Sequence, residues 1–554
     1  MVKFGFVFSK ISRLIHNKVL HNSMENIDSY NAWRKKHEEK RTMISSKFSY
    51  QPKISVLMPV YNVDVNWLMK AVESVEKQRY SNWELCIVDD CSSNKLIREY
   101  LLMKESEKIK VKFLEKNSHI SITSNEAFEL STGEFIALLD HDDEIHENAL
   151  LEVVTVLNHD NMIDLIYSDE DKLSMESERM QPAFKTHWNS ELLFSFMYVG
   201  HLGVYRRRIV EEIGGFRVGF EGAQDYDLIL RFTEKTNRVY HIPKILYHWR
   251  MIPGSTAVEV NSKSYAYDRG RIALYQSLLR RGHNCSGVEE DPFIRGNYRP
   301  LLRLNKKNPI AIFLIALSNN KSLIQERIRD IESLNTDIEY DIIVFSTDPI
   351  DLMGIKNITY SYNKLFVEMY KYLINFEHIE SFVFIKDTIA AQNSNWLEGL
   401  LVYSERDDVG CVSGKIVSQS GKISYSGSFI ENGCKIYPNF NDNKDEFGYL
   451  GRIRRVQNVT FASSNCFSVR STLFKNYMLE NLSLHDFDGF NLYLITENIG
   501  NIYNPYFEFV TSNMDYDNDG QLAPHGKELL VGFEEDRYLN PNTKFENGKI
   551  LINI

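Results

Sequence analysis

Three carboxylates crowd the end of a short apolar run, where Phe135-Ile136-Ala137-Leu138-Leu139 gives way at once to Asp140-His141-Asp142-Asp143-Glu144. Acids that close repel one another and raise each other's pKa unless a cation sits among them. A hard divalent ion with oxygen ligands, Mn2+ or Mg2+, is the natural cation, and it keeps room for a substrate's phosphates. The apolar run has the length and content of a buried strand of a parallel sheet. Its acids then stand at the carboxyl end of the strand, where open α/β sheets bind ligands. A solvated Asp-rich turn reads the same way, so the stretch alone leaves both open.

Further candidates lie downstream. In Phe220-Glu221-Gly222-Ala223-Gln224-Asp225-Tyr226-Asp227-Leu228 the residues after the acids have helical spacing, which puts Asp225 in the first turn of a helix. The helix dipole favours an acid there, keeping it ionised and able to accept a proton. A first-turn acid without chemistry fits the same spacing. His248, in Leu246-Tyr247-His248-Trp249-Arg250, is either a ligand or a packed histidine. Asp169-Glu170-Asp171-Lys172 reads as acids that position a substrate or as a loop of solvated acids.

The elements that must position these residues alternate. Strands are expected at Lys53–Asn62, Trp83–Ser92, Val111–Glu115 and Leu165–Ser168, and the segment closes with Val239–Pro243 and Leu246–Arg250. Helices are expected at Asn31–Arg41, Leu68–Gln78, Lys95–Lys104, Ile120–Leu130, Leu150–Leu157 and Ser262–Arg281. Strands alternating with helices build βαβ units around a parallel sheet, lining its polar strand ends along one edge.

The pattern then returns. Pro309–Leu317, Glu339–Asp348 and Phe382–Thr388 match the first, second and central strands, and His485-Asp486-Phe487-Asp488 mirrors Gln224-Asp225-Tyr226-Asp227. Residues 308–515 therefore read as a second copy of one fold. That copy is chemically depleted: Lys386-Asp387-Thr388-Ile389 replaces Asp140-His141-Asp142-Asp143, and a lysine beside a metal site competes with the ion.

Length and composition set bounds. A chain of 554 residues is too long for one ordinary domain, and a 43% apolar share supports sizeable cores. A net charge of −11 argues against a nucleic-acid footprint. Six cysteines without CxxC spacing suit a reducing compartment rather than a zinc site or disulfide framework. No stretch reaches the roughly 20 apolar residues of a membrane span, and no signal peptide is visible. Residues 1–20 do alternate apolar and basic positions at helical spacing. They read either as a helix lying on an anionic membrane surface or as one packed on the protein itself.

The front half resembles a family 2 glycosyltransferase with the GT-A fold. The resemblance rests on Pro59-Val60-Tyr61-Asn62, Val88-Asp89-Asp90-Cys91-Ser92, Leu139-Asp140-His141-Asp142-Asp143, Ser168-Asp169-Glu170-Asp171-Lys172, the Phe220–Leu228 stretch and Leu246–Arg250, in order and at family-like spacing. It resembles members that build bacterial surface polysaccharides. It implies a Rossmann-like, mostly parallel α/β sheet flanked by helices, in two tandem copies. The expected layout is a lead-in over 1–52, a catalytic domain over 53–300, and a degenerate copy with its tail over 308–554. By the same resemblance, Pro59, Tyr61, Asp89 and Asp90 hold the donor nucleoside, and Asp140 and Asp142 form the DxD pair. Asp142, with Asp143, carries the metal on the donor diphosphate, His248 is a further metal or diphosphate contact, and Asp225 is the general base. Two positions depart from the family pattern: Cys91 stands where glycine is usual, and Gln224 where many members have Glu.

The implied activity is inverting, metal-dependent transfer of a sugar from a UDP- or dTDP-linked donor to a hydroxyl of a glycan, a lipid-linked acceptor or a protein. The implied place is the cytoplasm, with peripheral contact at the inner face of the membrane, and a homo-oligomer stays open. The alternative is a non-catalytic sugar-binding or scaffold protein with a pseudo-transferase domain. A nucleotidyltransferase would need a Gly-rich phosphate loop after the first strand, where this chain has Pro59-Val60-Tyr61-Asn62.

Overall fold

The computed structural model describes residues 27–38, 48–252, 264–318, 320–352, 354–360, 364–374, 378–480, 486–512, 536–546 and 549–553. The amphipathic stretch expected over residues 1–20 lies outside them.

The front half opens with β1 (Ile54–Val60), β2 (Trp83–Asp89) and β3 (Ile109–Phe113), joined by helices at Val65–Glu76 and Lys95–Lys104. After the helix His119–Leu130 come β4 (Phe135–Leu138), β5 (Glu144–Ile145), β6 (Leu165–Leu173), β7 (Arg179–Ala183), β8 (Gly203–Arg206) and β9 (Val239–Arg250). The strands line up β3-β2-β1-β4-β8-β6-β9-β5, with β7 beside β6. The half from β3 to β4 is parallel; β8 then runs antiparallel between β4 and β6. β1 and β2 are almost wholly buried, because helices cover both faces of the parallel half.

A hairpin of β10 (Cys285–Glu290) and β11 (Tyr298–Leu302) follows the helix Ser264–Arg280. The second half then has β12 (Ile310–Ala316), β13 (Tyr340–Ser346), β14 (Lys356–Thr359), β15 (Ser381–Lys386), β16 (Ile389–Ala391) and β17 (Val409–Ser418). Short strands β18 (Ile423–Tyr425), β19 (Phe429–Glu431), β20 (Cys434–Ile436) and β21 (Gln457–Val459) lead to β22 (Cys466–Arg470) and β23 (Gly500–Thr511). The main path is β14-β13-β12-β15-β22-β17-β23-β16. Strand for strand, this is the order of the front half, so the duplication read from the sequence is present in the topology. The fold is α/β with two tandem sheets.

One expectation changes. β6 does not stop at Ser168 but runs to Leu173, so Asp169 and Asp171 are strand residues with no exposed surface rather than loop acids. Burial is tolerated because both are fully partnered: Asp169 accepts from Lys185 N (2.8 Å) and Asn540 Nδ2, and Asp171 meets Tyr30, Arg179 and His248. Val239–Pro243 and Leu246–Arg250 lie on one strand, β9. Its register against β6 skips Pro243 and Lys244, and such a bulge is where a proline without an N–H fits a sheet.

The copies lock together through buried polar contacts. Asn458 N donates to Asn189 Oδ1 at 2.9 Å, and Asn189 Nδ2 returns a bond to Asn458 O at 3.1 Å. Arg406 meets Glu191 at 2.7 Å. Asn540, near the C-terminus, reaches back to Asp169 of the first sheet. No described helix is long and apolar enough to cross a membrane.

Candidate active site

The acid turn hangs on the end of β4. Leu139 N still bonds Leu57 O of β1 at 3.1 Å, and His141 Nδ1 sits 3.0 Å from the Pro59 carbonyl, pinning the turn to the end of β1. Asp140 points outward, with its side chain 46% exposed. Asp142 gives its carbonyl to Arg250 Nε at 3.1 Å, while its carboxylate takes no hydrogen bond from another described side chain. Burial pushes the Asp142 carboxyl above its ordinary pKa; His141 opposes the rise and Asp140 adds to it. A bound cation removes this penalty.

Asp143, expected to share the metal with Asp142, is placed differently from it. It is fully buried, and each of its oxygens has a partner: the Tyr247 hydroxyl donates at 2.6 Å and Arg250 N at 2.7 Å. Asp143 braces the turn against β9. The spacing Asp-His-Asp-Asp could not show this, because a turn closed from Asp143 N to Asp140 O brings Asp143 to partners on β9.

Asp225 begins the helix Gln224–Phe232, as expected, with Oδ1 accepting from Tyr226 N at 2.8 Å. The dipole does not dominate its titration. Burial raises the Asp225 pKa, His201 opposes, and Asp140 adds to the rise. A higher pKa makes the ionised carboxylate a stronger base. His201 is the residue that sequence reasoning missed. Its Nε2 lies 4.0 Å from Asp140 Oδ2, and its ring stacks on Tyr247 with centroids 4.5 Å apart. It sits in Val199-Gly200-His201-Leu202, which carries no motif, and the chain returning from β7 to β8 brings it to the site.

Two residues along the same helix, Asp227 is fully buried between Arg217 and Arg231. This pair fixes the helix that carries Asp225. Asp227→Ala strands two cations and is expected to lower unfolding free energy by about 3–5 kcal/mol in urea titrations.

His248 lies on β9 opposite Glu144 of β5. Its Nδ1 bonds Asp171 at 2.6 Å and its ring edges His146. Its contacts are with these residues rather than with Asp140 or Asp142. A carboxylate holding one imidazole nitrogen is the usual way an imidazole is oriented with the other nitrogen left over.

On the donor side, Tyr61 is 46% exposed just past β1. Asp90 accepts from Ser118 N (2.6 Å) and His119 N (2.9 Å), so it also ties down the chain entering the next helix. Asp89 bonds Ser92 N at 3.1 Å through Oδ2, while its buried Oδ1 has no partner. An orphaned buried acceptor is costly until a ligand donor meets it. Cys91 has φ +60°, the left-handed region that glycine adopts freely, which accounts for the family preference at this position. Cys91→Gly is expected to stabilise the protein by about 1 kcal/mol, read as a rise in melting temperature.

Among the described residues no three His, Cys, Asp or Glu side chains converge as a metal cage. Mg2+-type ions are commonly held by one or two carboxylates plus substrate phosphates. The free Asp142 and the exposed Asp140 fit that donor set. In the second copy the corresponding groups are taken: Lys386 bonds Asn465 Oδ1 (2.7 Å), the buried Asp387 caps Leu317 N and Ser318 N, and Asp486, the counterpart of Asp225, accepts from Gly489 N (2.5 Å) as a helix cap.

Residues 55–214 match the family model Glycosyl transferase family 2. An uncharacterised protein of Sinorhizobium fredii is 32% identical over 76% of this chain and 48% of its own length. The O-antigen biosynthesis protein RfbC of Myxococcus xanthus is 27% identical over 72% of this chain and 32% of its own length. The chondroitin synthase of Escherichia coli is 27% identical over 49% of this chain and 38% of its own length. The chain thus spans half or less of the length of these relatives. A solved structure of S. aureus TarS residues 1–349 with UDP-GlcNAc overlays at TM-score 0.35, with 21% identity over 41% of this chain and 66% of that one. A likeness that loose says nothing about substrate. Over residues 55–214, this chain is similar to the family 2 glycosyltransferases.

Proposed function

We propose that residues 53–300 form an inverting, metal-dependent glycosyltransferase. It moves a sugar from a UDP- or dTDP-linked donor to a hydroxyl of a growing bacterial surface glycan or glycoconjugate. The observation that supports this most is the pair of differently placed acids: Asp142 with a free carboxylate at the strand end, and Asp225 across His201 from Asp140.

Asp225 accepts the proton of the attacking hydroxyl, and its raised pKa suits that task. His201 and Tyr247 hold the turn and the base in register, and Asp89 takes a donor from the nucleoside through its unpartnered Oδ1. A divalent ion at Asp142 would supply Lewis-acid stabilisation of the leaving diphosphate. Base and leaving group on opposite faces of the anomeric carbon give one displacement with inversion. For residues 308–554 the occupied acids favour a second, non-catalytic reading, a platform docked on the first copy through Glu191–Arg406 and Asn189–Asn458.

The test is release of nucleoside diphosphate by the full chain from a panel of UDP- and dTDP-sugars. One nucleotide sugar is expected to be consumed with Mn2+ or Mg2+. No turnover of any donor, with or without metal and acceptor, would leave only the scaffold reading.

A further inference from the structure

The first sheet presents a cation without a direct ion pair on the strand face that meets His201. Successive residues of a strand face opposite sides. On β6 and β9 the pairs Glu170↔Tyr247 and Lys172↔Trp249 are in register, and Asp171↔His248 lies between them. The contacts separate accordingly. Asp171 and His248 bond each other, and Asp171 also accepts from Tyr30 and Arg179. Glu170, Tyr247 and Trp249 instead meet His201: Glu170 accepts from His201 N at 2.9 Å, Tyr247 stacks on its ring, and Trp249 meets it edge-on with centroids 6.2 Å apart.

Lys172 belongs to this second face. Its ammonium lies 5.6 Å from the centre of the Trp249 ring. Among the described residues it makes no hydrogen bond or ion pair. The neighbouring Glu170 is already engaged by Lys185 Nζ at 2.9 Å as well as by His201 N. Burial pushes the Lys172 pKa below its usual range, and the charge of Glu170 opposes this only in part. A partly buried ammonium held against an aromatic face with no direct ion pair is under-compensated, and an incoming anion removes that cost. The half-buried indole beside it offers the flat apolar surface on which the C–H face of a pyranose packs.

Resting on the transferase reading, we propose that Lys172 and Trp249 form the acceptor subsite, and that the acceptor is an acidic glycan. Trp249 carries the sugar ring and Lys172 its carboxylate or phosphodiester. His201 links this subsite to Asp225, which places an acceptor hydroxyl near the base.

The experiment is calorimetric titration of the full chain with tetragalacturonate, a glycerol phosphate oligomer of similar length, and neutral maltotetraose. At least one acidic probe is expected to bind about tenfold more tightly than maltotetraose, with affinity falling as salt rises. Lys172→Gln is expected to erase the preference and Lys172→Arg to keep it, both variants being checked for a native melting profile. The acidic probe that binds identifies the anion as carboxylate or phosphodiester. Equal binding of acidic and neutral probes, or a preference that survives Lys172→Gln, would overturn the subsite. Should wild-type protein bind the acidic probe yet release no nucleoside diphosphate from any donor, the transferase reading fails while the subsite stands.

Discussion

Asp225→Asn lowers kcat/KM for sugar transfer by about 10²–10⁴-fold, the span one positioned base contributes. The amide keeps the oxygen that Tyr226 N bonds, so the helix start is preserved and only proton acceptance is lost. The pH profile carries an independent signature. The base works when ionised, so activity falls as pH drops through its pKa. Burial holds that pKa above the ordinary aspartate range, and Asp140 adds to the rise. The acid limb of kcat/KM therefore sits above about pH 4, the unperturbed value. His201 opposes the rise, so His201→Gln moves that limb further upward. A limb at the ordinary value, or an Asp225→Asn enzyme of undiminished rate, would remove Asp225 from the chemistry.

Asp142→Asn has the second large effect, and it acts in opposite directions on two measurements. Turnover falls by about a hundredfold or more, since metal stabilisation of the leaving group is worth several kcal/mol. Stability in EDTA holds or rises, because the wild-type carboxylate is half-buried beside Asp140 and takes no hydrogen bond from another described side chain, and burial outweighs the groups that favour its charge. Sites that bind charge are commonly strained without their ligand. A drop in both quantities would mean Asp142 braces the fold, as Asp143 does.

Much of this architecture was legible in the sequence, for reasons that also mark where reading stopped. β1, β2 and β12 announced themselves as continuous apolar runs because both their faces are covered. The repeat was legible because two copies of one topology repeat their strand ends in order. Asp140, Asp142 and Asp225 stood out as carboxylates placed at element ends. The exchange of partners between strands left no local trace. Asp143 looked like its neighbours until Tyr247 and Arg250, more than 100 positions away, were seen to claim both its oxygens. Asp169 and Asp171 looked like solvated acids because their counter-groups, Asn540, Arg179 and Tyr30, come from other elements. His201 and Lys172 carry no pattern in the chain; only the return to β8 brings His201 to Asp140, and only the β6–β9 register sets Lys172 beside Trp249.

The most direct measurement is anomalous diffraction at the manganese edge from crystals soaked with MnCl2 and a nucleoside diphosphate. The peak should fall within coordination distance of the Asp142 carboxylate, about 2.0–2.2 Å, with diphosphate oxygens completing the shell. Manganese and diphosphate settling together anywhere else on the chain, the second copy included, would contradict the account.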